Sequence, residues 1–135
     1  MALISNFIAL FQKSGSSEAA ILNRGLRYTM AFGKNWMQPI QSRLSDKFPE
    51  LTSLELDEYD TRCREALNFG LDLVYDRLSG LCDNRETVQM KVLRKDFEDA
   101  TREMLPWISR SNQKALLKQA LYYSWHDGVD ACIQK

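Results

Sequence analysis

At 135 residues, 44% hydrophobic and 27% charged, the chain has the length for one sizeable hydrophobic core and the composition of an ordinary globular protein. Its 18 basic and 18 acidic side chains cancel, which argues against nucleic acid as the partner, because phosphate binding needs a positive field. The same balance, with this much apolar content, excludes the high-charge, low-hydrophobicity signature of a disordered chain.

The chain opens on Ala2-Leu3-Ile4-Ser5-Asn6-Phe7-Ile8-Ala9-Leu10-Phe11, an apolar run without the basic start of a secretory signal. It is shorter than the roughly 20 apolar residues that span a bilayer, so no transmembrane segment is expected. It also lacks the cationic face of a membrane-surface helix. Residues 1–13 are expected to form an apolar docking helix, packed into the bundle or across a homodimer interface, with a loop at 14–17. Ser16 or Ser17 can cap the next helix, with Glu18 complementing its dipole. Leu22, Leu26, Met30, Gly33 and Met37 then recur at helical spacing, and Gly33 is a suitable stop, so a helix is predicted over 18–33. Pro39 interrupts the pattern, and a second helix is predicted from near Gln38 through Ile40, Leu44 and Phe48 to Pro49.

Thr52-Ser53 reads as a short link to a third helix with Asp57, Glu58 and Asp60 crowding its first turn. Tyr59, Cys63, Ala66, Leu67, Gly70, Leu73, Val74 and Leu78 form its apolar stripe, widened by Phe69, Leu71 and Tyr75, with Gly80 as its end. Asp83-Asn84-Arg85-Glu86 has the form of a capping box for a fourth helix. Its Met90, Leu93, Phe97, Ala100 and Met104 make a near-heptad seam that Pro106 terminates. Ser109 or Ser111 caps a fifth, whose series Leu117, Leu121, Trp125, Val129, Cys132 suggests that it continues past Gly128. An interior glycine costs about 1 kcal/mol, and the alternative is a stop at Gly128 with a loose tail. The fold class is all-α, a compact bundle of five or six helices in a single domain over residues 1–135.

The charge is unevenly spread. Residues 51–84 carry eight acids against Arg62, Arg64 and Arg77, while the flanking segments are net basic. On the third helix Glu58, Thr61, Glu65, Asn68, Asp72 and Asp76 follow steps of three and four, so they form one polar ridge with no cation in it. The ridge is either the solvated edge of an amphipathic helix or the contact face for a partner protein with a basic surface. In the second reading Glu58, Glu65, Asp72 and Asp76 are the electrostatic contacts, and Tyr75 or Trp107 is the apolar anchor. The calcium-loop pattern is absent from this acidic segment. Three other basic residues with interleaved aromatics, Arg24, Arg27, Tyr28, Lys34 and Trp36, are too few cations for strong phosphate binding.

The only histidine, His126, sits among Tyr122, Tyr123, Trp125 and Asp127. Neighbours on a helix point about 100° apart, so Asp127 makes a poor partner for it, and Asp130 would serve if the helix continued. No nucleophile motif and no zinc or di-iron spacing accompanies it, so neither a metal nor a cofactor is called for. Cys63, Cys82 and Cys132 lack close spacing and suit a reducing cytoplasm as free thiols. The reading that follows is a small cytoplasmic protein-binding module, an inhibitor or regulator of a basic partner, rather than an enzyme. The alternative is an enzyme or small-ligand binder with an interhelical pocket of Tyr122, Tyr123, Trp125 and His126.

Overall fold

A computed structural model describes residues 17–134, so the docking helix expected over 1–13 and most of the 14–17 loop lie outside the described residues. The described chain is all-α in class. It contains α1 (Glu18–Thr29), α2 (Gln41–Lys47), α3 (Ser53–Asp83), β1 (Val88–Gln89), α4 (Met90–Met104), α5 (Arg110–His126) and β2 (Ile133–Gln134). It divides between Glu65 and Ala66, inside α3, into two compact units.

In the first unit Ser17 caps α1 by accepting from the Ala20 N–H at 3.0 Å. Ile21, Leu22, Gly25 and Leu26, on one side of that helix, are buried, as are Ile40, Leu44, Leu56, Tyr59 and Cys63. The backbones approach closely at Gly25, where a Cβ would lie 2.7 Å from Cys63 Sγ and 3.3 Å from Ile40 Cδ1. The helix stops at Thr29, four residues short of the predicted end. Met30 is buried at its cap, and Gly33 instead opens a one-turn 3₁₀ helix with φ at +79°. Met37, also left-handed at φ +60°, is exposed, so the apolar spacing through Gly33 and Met37 was coincidental. Arg43 fastens this loop by donating to the Tyr28, Gln38 and Pro39 carbonyls, with its guanidinium 5.1 Å over the Tyr28 ring.

The segment read as a link holds the start of α3. Thr52 N–H donates to Glu55 Oε1 at 2.9 Å and Glu55 N–H donates to Thr52 Oγ1 at 3.1 Å, a reciprocal capping box that satisfies two orphan donors. The helix therefore begins four residues before Asp57.

In the second unit α3 runs past Gly80 to Asp83, because Gly80 is exposed and faces open space where a missing side chain costs no packing. A Schellman turn ends it: Glu86 N–H donates to Leu81 O at 2.8 Å and Arg85 N–H to Cys82 O at 3.1 Å, with Arg85 left-handed at φ +56°. Asp83 still belongs to α3, so Asp83–Glu86 is no capping box, and α4 begins at Met90 after β1. Of the residues read as the α4 seam, Leu93 and Phe97 are buried, Met90 and Ala100 are half-buried, and Met104 is 62% exposed, while Thr101, outside the seam, is buried beside them. Arg77 pairs with Asp96 at 2.6 Å between α3 and α4. Gln113 of α5 donates to Thr101 Oγ1 at 2.9 Å and Glu98 O at 3.2 Å in α4. At Gly70 a Cβ would lie 2.5 Å from the Leu116 side chain, so α3 and α5 pack backbone to side chain.

Ser109 caps α5, which ends at His126 and does not continue past Gly128. A second Schellman turn closes it: Val129 N–H donates to Ser124 O and Gly128 N–H to Trp125 O, both at 3.0 Å, with Gly128 at φ +77°. Left-handed backbone favours glycine, which outweighs the apolar spacing beyond. The tail is not loose, since residues 130–132 form a 3₁₀ turn and β2 pairs in parallel with β1 as Val88↔Ile133 and Gln89↔Gln134.

The two left-handed caps predict opposite mutational signs. Arg85→Gly removes a Cβ penalty and is expected to raise the unfolding free energy by about 1 kcal/mol, while Gly128→Ala lowers it by a similar amount. Urea titrations followed by circular dichroism read both.

Candidate functional site

The polar positions of α3 are exposed in each unit taken by itself, Glu58, Thr61 and Glu65 in the first and Asn68, Asp72 and Asp76 in the second. Glu58 and Glu65 belong to the first unit, Asp72 and Asp76 to the second. Asp72 and Asp76 stand one helical turn apart, about 6 Å along the axis.

The arginines that could neutralise this ridge are engaged elsewhere. Arg62 pairs with Glu18 of α1, Arg64 donates to both oxygens of Asp60 at 3.0 and 3.1 Å, and Arg77 pairs with Asp96. Among the described residues, Glu58, Glu65, Asp72 and Asp76 have no ion pair and no side-chain hydrogen bond. Tyr75, three residues after Asp72 and so beside it on the helix surface, is 40% exposed. Trp107 is half-buried in the turn between α4 and α5 and has an interaction partner in the fold. Of the two candidate anchors, Tyr75 is the more available.

On the last turns of α5 the aromatic rings lie close together within the one helix. The Tyr122 ring centroid lies 5.6 Å from Tyr123, 6.0 Å from Trp125 and 6.4 Å from His126. These rings stand largely in solvent, with Trp125 61% exposed. His126 Nδ1 is 3.8 Å from Asp127 Oδ1, beyond hydrogen-bond range, and the end of α5 removes the helical register that would have offered Asp130. Among the described residues no group of three or more His, Cys, Asp or Glu side chains is placed to hold a metal ion, and no helix is long and apolar enough to cross a membrane.

In the basic and aromatic set of the first unit, Arg24, Arg27, Lys34 and Trp36 are exposed, whereas the Tyr28 ring is covered by Arg43. The grouping that sequence reading missed is Cys82 with Cys132. Their thiols meet on one carbonyl, although 50 positions separate them and no local motif marks the pair.

No protein-family model, curated protein or solved structure matches the chain.

Beneath the ridge, Cys63 and Tyr59 are fully buried. Burial pushes the Cys63 thiol up to about 12, with Arg62 drawing it down and Asp60 adding to the rise. Burial, then the Glu18 carboxylate, pushes the Tyr59 phenol well above its ordinary range. Both groups hold their protons more tightly folded than unfolded, so their contribution is full below the unfolded values and is lost as pH rises. Stability is expected to fall from about pH 9 by up to about 1.4 kcal/mol per pH unit for Cys63, with Tyr59 adding its own loss above about pH 10. Denaturant midpoints measured between neutral and alkaline pH should show this limb, and Cys63→Ala should make it shallower between pH 9 and 10. An unchanged slope in that variant rules out Cys63 as its source.

Proposed function

We propose that the protein is a binding module whose acidic α3 ridge docks on a basic surface of a partner protein, acting as its inhibitor or regulator. The observation that carries this reading is the sorting of charge. Arg62, Arg64 and Arg77 are committed to Glu18, Asp60 and Asp96, and four carboxylates are left exposed without a cation among the described residues. Desolvating a carboxylate is costly unless a cation meets it, so such a ridge selects a partner that supplies the cations. Complementary charge of this kind accelerates encounter and rejects acidic surfaces, while affinity needs an apolar anchor, the role assigned to Tyr75.

A second reading, a small-ligand site around His126, is supported by the ring cluster of Tyr122, Tyr123, Trp125 and His126. The exposure of Trp125 and Tyr122 suits a surface platform better than an enclosed pocket, which favours the first reading.

The test is capture from source-cell lysate at low and moderate salt, with wild type beside a Glu65→Lys/Asp72→Lys/Asp76→Lys variant whose helicity is checked. Expected is a stoichiometric partner, weakened at least tenfold by moderate salt and lost from the variant. Recovery of binding by compensating acidic substitutions on the partner completes the assignment. A partner retained equally by the charge-reversed variant overturns it. So does the absence of any partner.

A further inference from the structure

The end of α3 and the C-terminal segment meet through sulfur. Cys82 Sγ donates to Val129 O at 3.4 Å. Cys132 Sγ donates to the same oxygen at 3.4 Å and to Leu78 O, one turn earlier in α3, at 3.5 Å. Two sulfurs each held 3.4 Å from one oxygen are near neighbours, and, after burial, the Cys82 thiol is among the groups that push the Cys132 thiol up. All three cysteines are free thiols. Cys82 is half-buried and can be reached from solvent, whereas Cys132 is 5% exposed. The segment that carries Cys132 is held by the Schellman turn at Gly128 and by the two-residue ladder of β2 with β1.

We propose that Cys82 and Cys132 are a thiol-oxidation site, closed by a hydroperoxide into an intramolecular disulfide that staples the C-terminal segment to the end of α3. The less buried member, Cys82, reacts first. The Cys82 thiolate attacks one peroxide oxygen, the O–O bond breaks, and Cys82 becomes a sulfenic acid while hydroxide leaves and takes up a proton as water. The Cys132 sulfur then attacks the sulfenyl sulfur, forming S–S and expelling hydroxide, which takes up the second thiol proton as water. Two thiols are oxidised by two electrons in all, and one hydrogen peroxide is reduced to two waters. To reach the bonding distance of about 2.05 Å the two side chains rotate toward each other about their Cα–Cβ bonds. Burial confines Cys132 to this one partner, which protects Cys82 from further oxidation.

The staple changes how the segment behaves. In the thiol form, residues 129–134 can open locally, because few backbone hydrogen bonds hold a two-residue ladder. In the disulfide form, opening is confined by a covalent tie that closes a long loop spanning α4 and α5, and closing a long loop restricts the unfolded chain most strongly. Cys63 is the internal control. Its sulfur lies in the first unit, donating to Leu22 O at 3.5 Å, with neither Cys82 nor Cys132 among the groups acting on its thiol.

The experiment treats the full chain with stoichiometric hydrogen peroxide, alkylates the remaining thiols, and maps the peptides by mass spectrometry. Expected are a mass loss of about 2 Da, a linked Cys82–Cys132 peptide and one alkylated thiol, at Cys63. Amide exchange at 129–134 should slow at least tenfold and Tm rise by several degrees, both reversed by a thiol reductant. A Cys63→Ser variant, which keeps only the pair, should form the same Cys82–Cys132 crosslink and show the same slowing of exchange on oxidation. Cys82→Ser, a change at a half-buried position, should fold and lose both the crosslink and the slowed exchange. A sulfinic acid at Cys82 without a crosslink overturns the proposal, as does an intermolecular disulfide as the main product or a linked peptide that contains Cys63.

Discussion

The uninterrupted hydrogen-bond ladder of α3, 31 residues from Ser53 to Asp83, is the constraint on which both units depend. No proline interrupts it, a reciprocal capping box starts it, and a Schellman turn ends it. In the first unit it supplies buried Leu56, Tyr59 and Cys63, and Cys63 sits against the α1 backbone where Gly25 has no side chain. In the second it supplies Ala66, Val74 and Leu78, and Gly70 leaves the space that Leu116 fills. A methyl group at either glycine would overlap its neighbour, and overpacking of that kind costs about 1–3 kcal/mol. Helix contacts this close depend on the absence of two side chains as much as on the presence of many.

Charge follows the same division of labour. On its inner edges α3 holds arginines that tie it to other elements, through Arg62 to Glu18 and Arg77 to Asp96. On its outer edge it holds carboxylates that have no such duty. Ion pairs at the surface contribute little to stability, so the ties act mainly by fixing where each arginine points. With those arginines directed to other carboxylates, the ridge carboxylates stand exposed and without a cation among the described residues.

The periodicity of apolar residues carried much of the fold legibly. Leu22 and Leu26, Ile40 and Leu44, and Leu93 and Phe97 are buried at the spacings that predicted them, and Ser17 and Ser109 cap the helices they precede. Boundaries were read less well, and always for a local reason. Gly80 looked like a stop because glycine is a poor helix former, yet one exposed glycine cannot end a helix whose flanking turns are packed. Arg85 was invisible as a stop because nothing in an arginine announces left-handed backbone. Thr52 and Glu55 did announce a capping box, but the acids that follow drew the start of α3 four residues too late. The ridge itself was legible as a row, since its spacing alone places Glu58, Glu65, Asp72 and Asp76 on one face.

By itself, then, the sequence determined the helical class, the approximate number of helices and the membership of the acidic row, because these follow from periodicity and composition within a few turns of chain. Only the tertiary structure decided which arginines were committed, that Tyr75 stands more open than Trp107, and that the segment after Gly128 turns back to pair with β1. It also brought Cys82 and Cys132 to one carbonyl oxygen across 50 positions. Apart from the exposure of Tyr75, these are contacts between residues far apart in the chain. Local spacing cannot specify such a contact, because which long-range partner a side chain meets is settled by how whole helices pack.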